Sequence, residues 1–84
     1  MTDHAQVVRE YVDSVEAVSA LFGPDRYEMV NFKEFSVAMQ REVLATAAYV
    51  ASLKEQGFAV PYGLEERNRE QAKIYFPHGS AAVE

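Results

Sequence analysis

The sequence predicts an all-α fold: a three-helix, antiparallel domain with a long central helix and a disordered C-terminal tail. Two observations carry the prediction. Apolar residues recur at steps of three and four through separate stretches, and those stretches are bounded by capping or breaking residues. Helices are expected at about 3–22, 32–56 and 64–75, forming one domain over 1–77, with 78–84 as a mobile tail.

The first helix opens at Asp3, an N-cap with Gln6 in the reciprocal position; Thr2 is the rival cap. Its expected apolar stripe is Val8, Tyr11, Val12, Val15, Val18 and Phe22, with Arg9, Glu10, Asp13 and Glu16 opposite. The many β-branched valines lower its helix propensity, but period-two alternation fails across the stretch. Gly23-Pro24 breaks it near Phe22. Gly23 to Val30 is a connector, and Tyr27, Met29 and Val30 make it apolar enough to pack on the core.

The second helix is the organising element. Asn31 caps its start, with Glu34 three residues on as the capping-box partner, and Val30 and Phe35 are spaced for a hydrophobic staple. Phe32, Phe35, Met39, Val43, Thr46, Val50 and Leu53 form the main stripe. Gly57 occupies the left-handed position that closes a helix, with Phe58 placed to pack on Leu53. At ~1.5 Å per residue a helix of about 25 residues spans roughly 37 Å. A compact chain of 84 residues is only about 30 Å across, so this helix is expected to overhang its domain or lean on another chain. Val37, Leu44, Ala47, Ala48 and Ala51 add a second apolar and small-residue surface beside the main stripe, suited to close approach by a partner. The rival reading is that the other two helices cover both sides.

Ala59 to Gly63 is a turn or short extended piece. The third helix has Glu65 and Glu66 at its positive end and Lys73 at its negative end. Glu65 and Arg69 are spaced for an i,i+4 pair. Its stripe, Leu64, Ala72, Ile74 and Tyr75, is thin, and Pro77 stops it.

Composition narrows the function. With 13 acidic and 8 basic side chains, net −5, the chain lacks the cationic excess that duplex nucleic acid or an anionic membrane requires. There is no cysteine, hence no disulfide and no thiolate metal site. No apolar run reaches the ~18 residues of a spanning helix, and MTDHAQ lacks the regions of a signal peptide, so the expected compartment is the cytoplasm. No Gly-rich phosphate loop or HExxH helix occurs. His4 and His78 lie far apart and read as exposed, untethered side chains; Ser14, Ser19, Ser36 and Ser52 read as ordinary helix residues. Arg41 stands out, mid-helix and beside Glu42 in an apolar region. It suits either an ion pair with a neighbouring carboxylate or a directed role at a subunit interface.

The order of Val15-Glu16-Ala17, Ala20-Leu21, Phe32-Lys33-Glu34-Phe35, Leu53-Lys54-Glu55-Gln56-Gly57, Leu64-Glu65-Glu66-Arg67 and Pro77-His78-Gly79 resembles the helical N-terminal half of nitrile hydratase β subunits and the related accessory proteins. The chain departs from the family pattern at Val15, where the family has Trp, and at Ser36, where β subunits carry an arginine that bonds the oxidised cysteine ligands. The family's Tyr-Tyr…Trp run and its C-terminal β-barrel half are missing too, which resembles a split β subunit of the toyocamycin nitrile hydratase type. The resemblance implies a small subunit that binds no metal itself and packs on a metal-bearing α subunit, with a second small β-like subunit as a further partner. Co(III) or Fe(III) would belong to the α subunit, and the reaction would be hydration of a nitrile to an amide. It also implies that Phe32, Phe35 and Ser36 line the substrate pocket and that the second helix, with Val37, Leu44, Ala47, Ala48 and Ala51 as its interface, packs on the α subunit; Arg41, five residues after Ser36, is a candidate catalytic guanidinium only if the helix is turned differently. Two other readings stand beside it: an accessory metallochaperone for the α subunit, and an unrelated helical interaction module that self-associates. Alone, the chain is a candidate homo-oligomer.

Overall fold

A computed structural model describes residues 3–22 and 32–77. They form three helices, α1 (His4–Ala20), α2 (Phe32–Glu55) and α3 (Leu64–Tyr75), with no strand among them. The all-α, three-helix fold is therefore as the sequence predicts. The expected Thr2 cap, Gly23-Pro24 break, packed connector, Asn31 cap, Val30 staple, His78 and the tail at 78–84 lie outside the described residues.

Local chemistry explains the observed ends. The Asp3 carboxylate accepts from the Ala5 amide at 3.1 Å and caps α1. Two bonds close α2: the Phe58 amide donates to the Leu53 carbonyl at 2.9 Å, and the Gly57 amide to the Lys54 carbonyl at 3.1 Å. With Gly57 at φ +78° this is a Schellman close. Phe58 itself stays largely exposed, and its ring tilts against His4 with centroids 5.8 Å apart. Gly63, at φ +79° and ψ −11°, takes the third position of a type II turn from Pro61 to Leu64, and the Leu64 amide donates to the Pro61 carbonyl at 3.2 Å.

α1 and α3 each run antiparallel to α2, one along each flank. His4 meets Ser52 and Tyr11 stacks on Tyr49 at 4.4 Å on one side; Lys54 meets Glu65 and Gln40 meets Tyr75 on the other. No Cα of α1 comes within 8 Å of a Cα of α3. The architecture is an open layer around α2 rather than a closed bundle. The extents are 43 × 29 × 24 Å. The domain is stretched along α2, which corrects the expectation of a rod overhanging a 30 Å globule: α2 is unbroken and spans the long dimension.

The buried stripe of α2 is Met39, Val43, Thr46, Val50 and Leu53, as expected, joined by Glu42 and Ser52. Phe35 is half-buried, in edge contact with Phe22 and Tyr75 at 5.5 and 6.3 Å. Phe32, at the helix end, is 80% exposed and leaves the stripe.

Of the expected α1 stripe, Val8, Tyr11, Val15 and Val18 are half-buried, but the centre of the buried face is shifted. Val7 and Ser14 are its buried residues, whereas Val12 and Phe22 are exposed. The helix is rolled so that small Ser14, wholly buried, sits at the contact; its hydroxyl donates to the Tyr11 carbonyl at 2.7 Å and so enters the interior with its polarity satisfied.

α3 buries no residue, and Ile74 is 67% exposed. Polar groups hold it instead. The Asn68 amide donates to the Val43 carbonyl at 2.9 Å, and the Gln40 amide to the Tyr75 carbonyl at 3.1 Å. Asn68→Ala is expected to cost about 1 kcal/mol, the worth of one neutral hydrogen bond, read as a lower urea midpoint at constant slope. Gly63→Ala meets open space, so its expected loss, again about 1 kcal/mol, comes from the left-handed backbone alone. A neutral result in the same melt would show that the turn relaxes.

Candidate functional site

Two flanks of α2 are covered, and the third face is open. Val37, Leu44, Ala47, Ala48 and Ala51, the residues expected at an interface, are all exposed there, Val37 by 59% and Leu44 by 38%. Helical spacing puts them in one band opposite the buried stripe. The rival expectation, that α1 and α3 cover the helix fully, holds for the flanks and not for this face.

Shallow grooves border the band. Between α2 and α3 lies one of about 360 Å³, floored by Val43, Ala47, Val50 and Ala51 and rimmed by Lys54, Glu65 and Arg69. Toward α1, Ala17, Val37, Ala38 and Arg41 line a second. Small side chains on the band let a neighbouring backbone come near, while the rims supply charge at the border.

Arg41 is exposed at the α1 edge of this band and forms no ion pair among the described residues. Its sequence neighbour Glu42 points the other way. Glu42 is buried and pairs with Arg67 of α3 at 3.5 Å, long for a charge-assisted bond. The expected pairing of Arg41 with a nearby carboxylate is thus absent, because successive residues on a helix point about 100° apart.

Phe32, Phe35 and Ser36 do not converge with Arg41. Nine residues separate Phe32 from Arg41, two and a half turns, so they project from opposite faces of α2. Phe32 is free at the helix end, whereas Phe35 and Ser36 are half-buried. The candidate pocket wall and the candidate guanidinium are therefore two separate regions.

His4 is not the untethered side chain that the sequence suggests. Its Nδ1 shares a hydrogen bond with the buried Ser52 hydroxyl, 48 residues away. Ser52 lies inside an unbroken helix rather than on a strained elbow, and no acidic side chain bonds the imidazole among the described residues. The pair ties the start of α1 to the end of α2. Among the described residues no group of three His, Asp or Glu side chains is placed to hold a metal, and no helix is long and apolar enough to cross a membrane.

Glu65 is the charged junction of α2 and α3. Lys54 donates to its carboxylate at 2.9 Å, and Arg69, the expected i,i+4 partner, stands at 4.0 Å. The hydrogen bond from Lys54 and then its charge hold the Glu65 carboxyl below its ordinary value of 4.5, with Arg69 adding a smaller pull. A lowered carboxyl stabilises the fold above the unfolded-state value and ceases to do so as pH falls through the folded-state value. The contribution is modest because both groups face solvent. An NMR titration should therefore place the Glu65 midpoint below 4.5, and Lys54→Met should raise it; an unmoved midpoint would reject the pairing.

Comparison with family models, with curated proteins and with solved structures finds no match to this chain.

Proposed function

We propose that the chain is a small helical subunit of a nitrile hydratase-type complex, docked on a metal-bearing α subunit through the open face of α2. The observation that carries this reading is the uncovered band of Val37, Leu44, Ala47, Ala48 and Ala51 on a helix whose flanks are both occupied. The motif order supports the choice of partner, and the absence of cysteine gives the metal-ligating role to the other chain. The same reading places the complex in the cytoplasm.

In this assembly Arg41 is a docking residue. An exposed guanidinium at the edge of an apolar band suits a bidentate contact with a carboxylate or backbone carbonyls of the α subunit, where loss of water strengthens it. Phe32 projects away from the docking face and is exposed at the start of α2, so it walls the substrate pocket where the α subunit wraps round that helix end. An apolar ring there excludes water from the nitrile while the partner's Co(III) or Fe(III) polarises it. Ser36, half-buried one turn on, backs that wall.

Co-expression with an α chain carrying a Cys-x-x-Cys-Ser-Cys loop tests the proposal. The expected outcome is a stable complex that converts a nitrile to an amide. Ala48→Glu and Arg41→Ala should each weaken assembly at least tenfold while leaving helicity unchanged. Phe32→Ala should assemble normally and raise KM. Only transient association during metal loading would instead favour the accessory-chaperone reading, and no association at all would remove both.

A further inference from the structure

We propose that Tyr11 and Tyr49 form an oxidative modification site, at which one-electron oxidation joins the two phenol rings and staples α1 to α2 within one chain. This goes beyond the proposed assembly and does not depend on it.

The contact between α1 and α2 builds the site. The two rings stack with centroids 4.4 Å apart and planes 11° from parallel, and this is the one tyrosine–tyrosine contact among the described residues. Both helices hold the rings in place. Val7 and Ser14, one turn to either side of Tyr11, are buried, as are Thr46, Val50 and Leu53 around Tyr49. The His4–Ser52 bond and the edge contact of Phe22 with Phe35 brace the same two helices nearer their ends. Both tyrosines are half-buried. Neither hydroxyl has a hydrogen-bond partner among the described residues. Every buried side-chain polar atom there does have one. Both hydroxyls therefore reach solvent, where an oxidant can meet them and water can take their protons.

Composition and burial direct oxidation to this pair. The chain has no cysteine and no tryptophan, and Met39 is buried, so the usual sulfur targets are withheld among the described residues. Tyr62 is fully exposed and Tyr75 meets Phe35, but neither has a second phenol against it there. The oxidant is hydrogen peroxide, used by a peroxidase. Each phenol gives up one electron and one proton and becomes a phenoxyl radical. The two radicals pair, forming a carbon–carbon bond between the ring positions beside the two oxygens. Each bonded carbon then releases its hydrogen as a proton while its ring oxygen takes one up, which restores both phenols. Two electrons and two protons have reduced one hydrogen peroxide to two waters, and the chain is lighter by two hydrogen atoms. From the observed stack the carbons meet by rotation about the side-chain bonds, with both helices in place. The new bond closes a loop from Tyr11 to Tyr49 and restricts the unfolded chain as a disulfide does.

The test treats the full chain with a peroxidase and hydrogen peroxide. At about 1 µM chain, far below the ~1 mM effective concentration of groups held on one scaffold, coupling within the chain outruns coupling between chains. The expected product keeps the 9.4 kDa mass of one copy, less two hydrogens, and shows the blue fluorescence of a biphenol. Trypsin separates the five tyrosines into five peptides, and the Tyr11 and Tyr49 peptides should be found joined. Tyr11→Phe and Tyr49→Phe keep the stacked rings but remove one phenol, so each should abolish the product, while Tyr62→Phe should leave it. The stapled chain should also unfold at a higher urea midpoint. Coupling through Tyr27, Tyr62 or Tyr75 instead would overturn the inference. So would an undiminished yield from Tyr11→Phe, or chain-to-chain dimers as the only product. The measurement uses no α chain, so its outcome is independent of the nitrile hydratase reading.

Discussion

The structure depends on one constraint: a single helix must serve two neighbours whose backbones nowhere come within 8 Å of each other. α1 and α3 each need a surface for their apolar side chains, and both pack along α2. A closed three-helix bundle lets each member cover the other two. Here the two outer helices are set apart along the middle one, whose circumference is wider than two neighbours can occupy. The open face is thus a consequence of topology as well as composition. Its residues reinforce that outcome, since alanine at three of the five positions limits the cost of leaving it bare.

The core that results is small. Val7, Met39, Val43, Val50 and Leu53 are its fully buried apolar side chains among the described residues. Glu42, Thr46, Ser14 and Ser52 share the interior with them, and every buried side-chain polar atom among the described residues has a partner. Such an interior specifies orientation strongly, because rolling a helix would orphan a hydroxyl or a carboxylate. It adds little apolar cover, which is the expected condition of a short chain without disulfides.

Local signals in the sequence were sufficient for the ends of the elements. The Asp3 cap, the Gly57 close and the extent of α3 all depend on residues within one turn of each other, and all appear where spacing places them. Faces were legible where apolar residues recur at helical spacing, as on the buried and open sides of α2. They were not legible where a small polar residue took the contact. Ser14 rolled α1 away from Val12 because a hydroxyl bonded to its own turn packs closer than a valine. Burial of Glu42 depends on Arg67, and tethering of His4 on Ser52, pairings set by the fold and invisible to periodicity. The candidate site divides likewise. The exposed band of α2 follows from helical spacing, and so does the separation of Arg41 from Phe32, which nine residues on one helix already require.

α3 has a property that its contacts imply. With no buried residue of its own, it is held by amide and ion-pair bonds to α2 and by the Tyr75 ring against Phe35. Releasing it exposes little oil to water and leaves the α1–α2 hairpin with most of its interior. Backbone amides in α3 should consequently trade their protons with solvent through a partial opening, at a lower energetic threshold than those of α1 and α2. The molecule would then melt in two tiers, with its last helix acting as a detachable leaf.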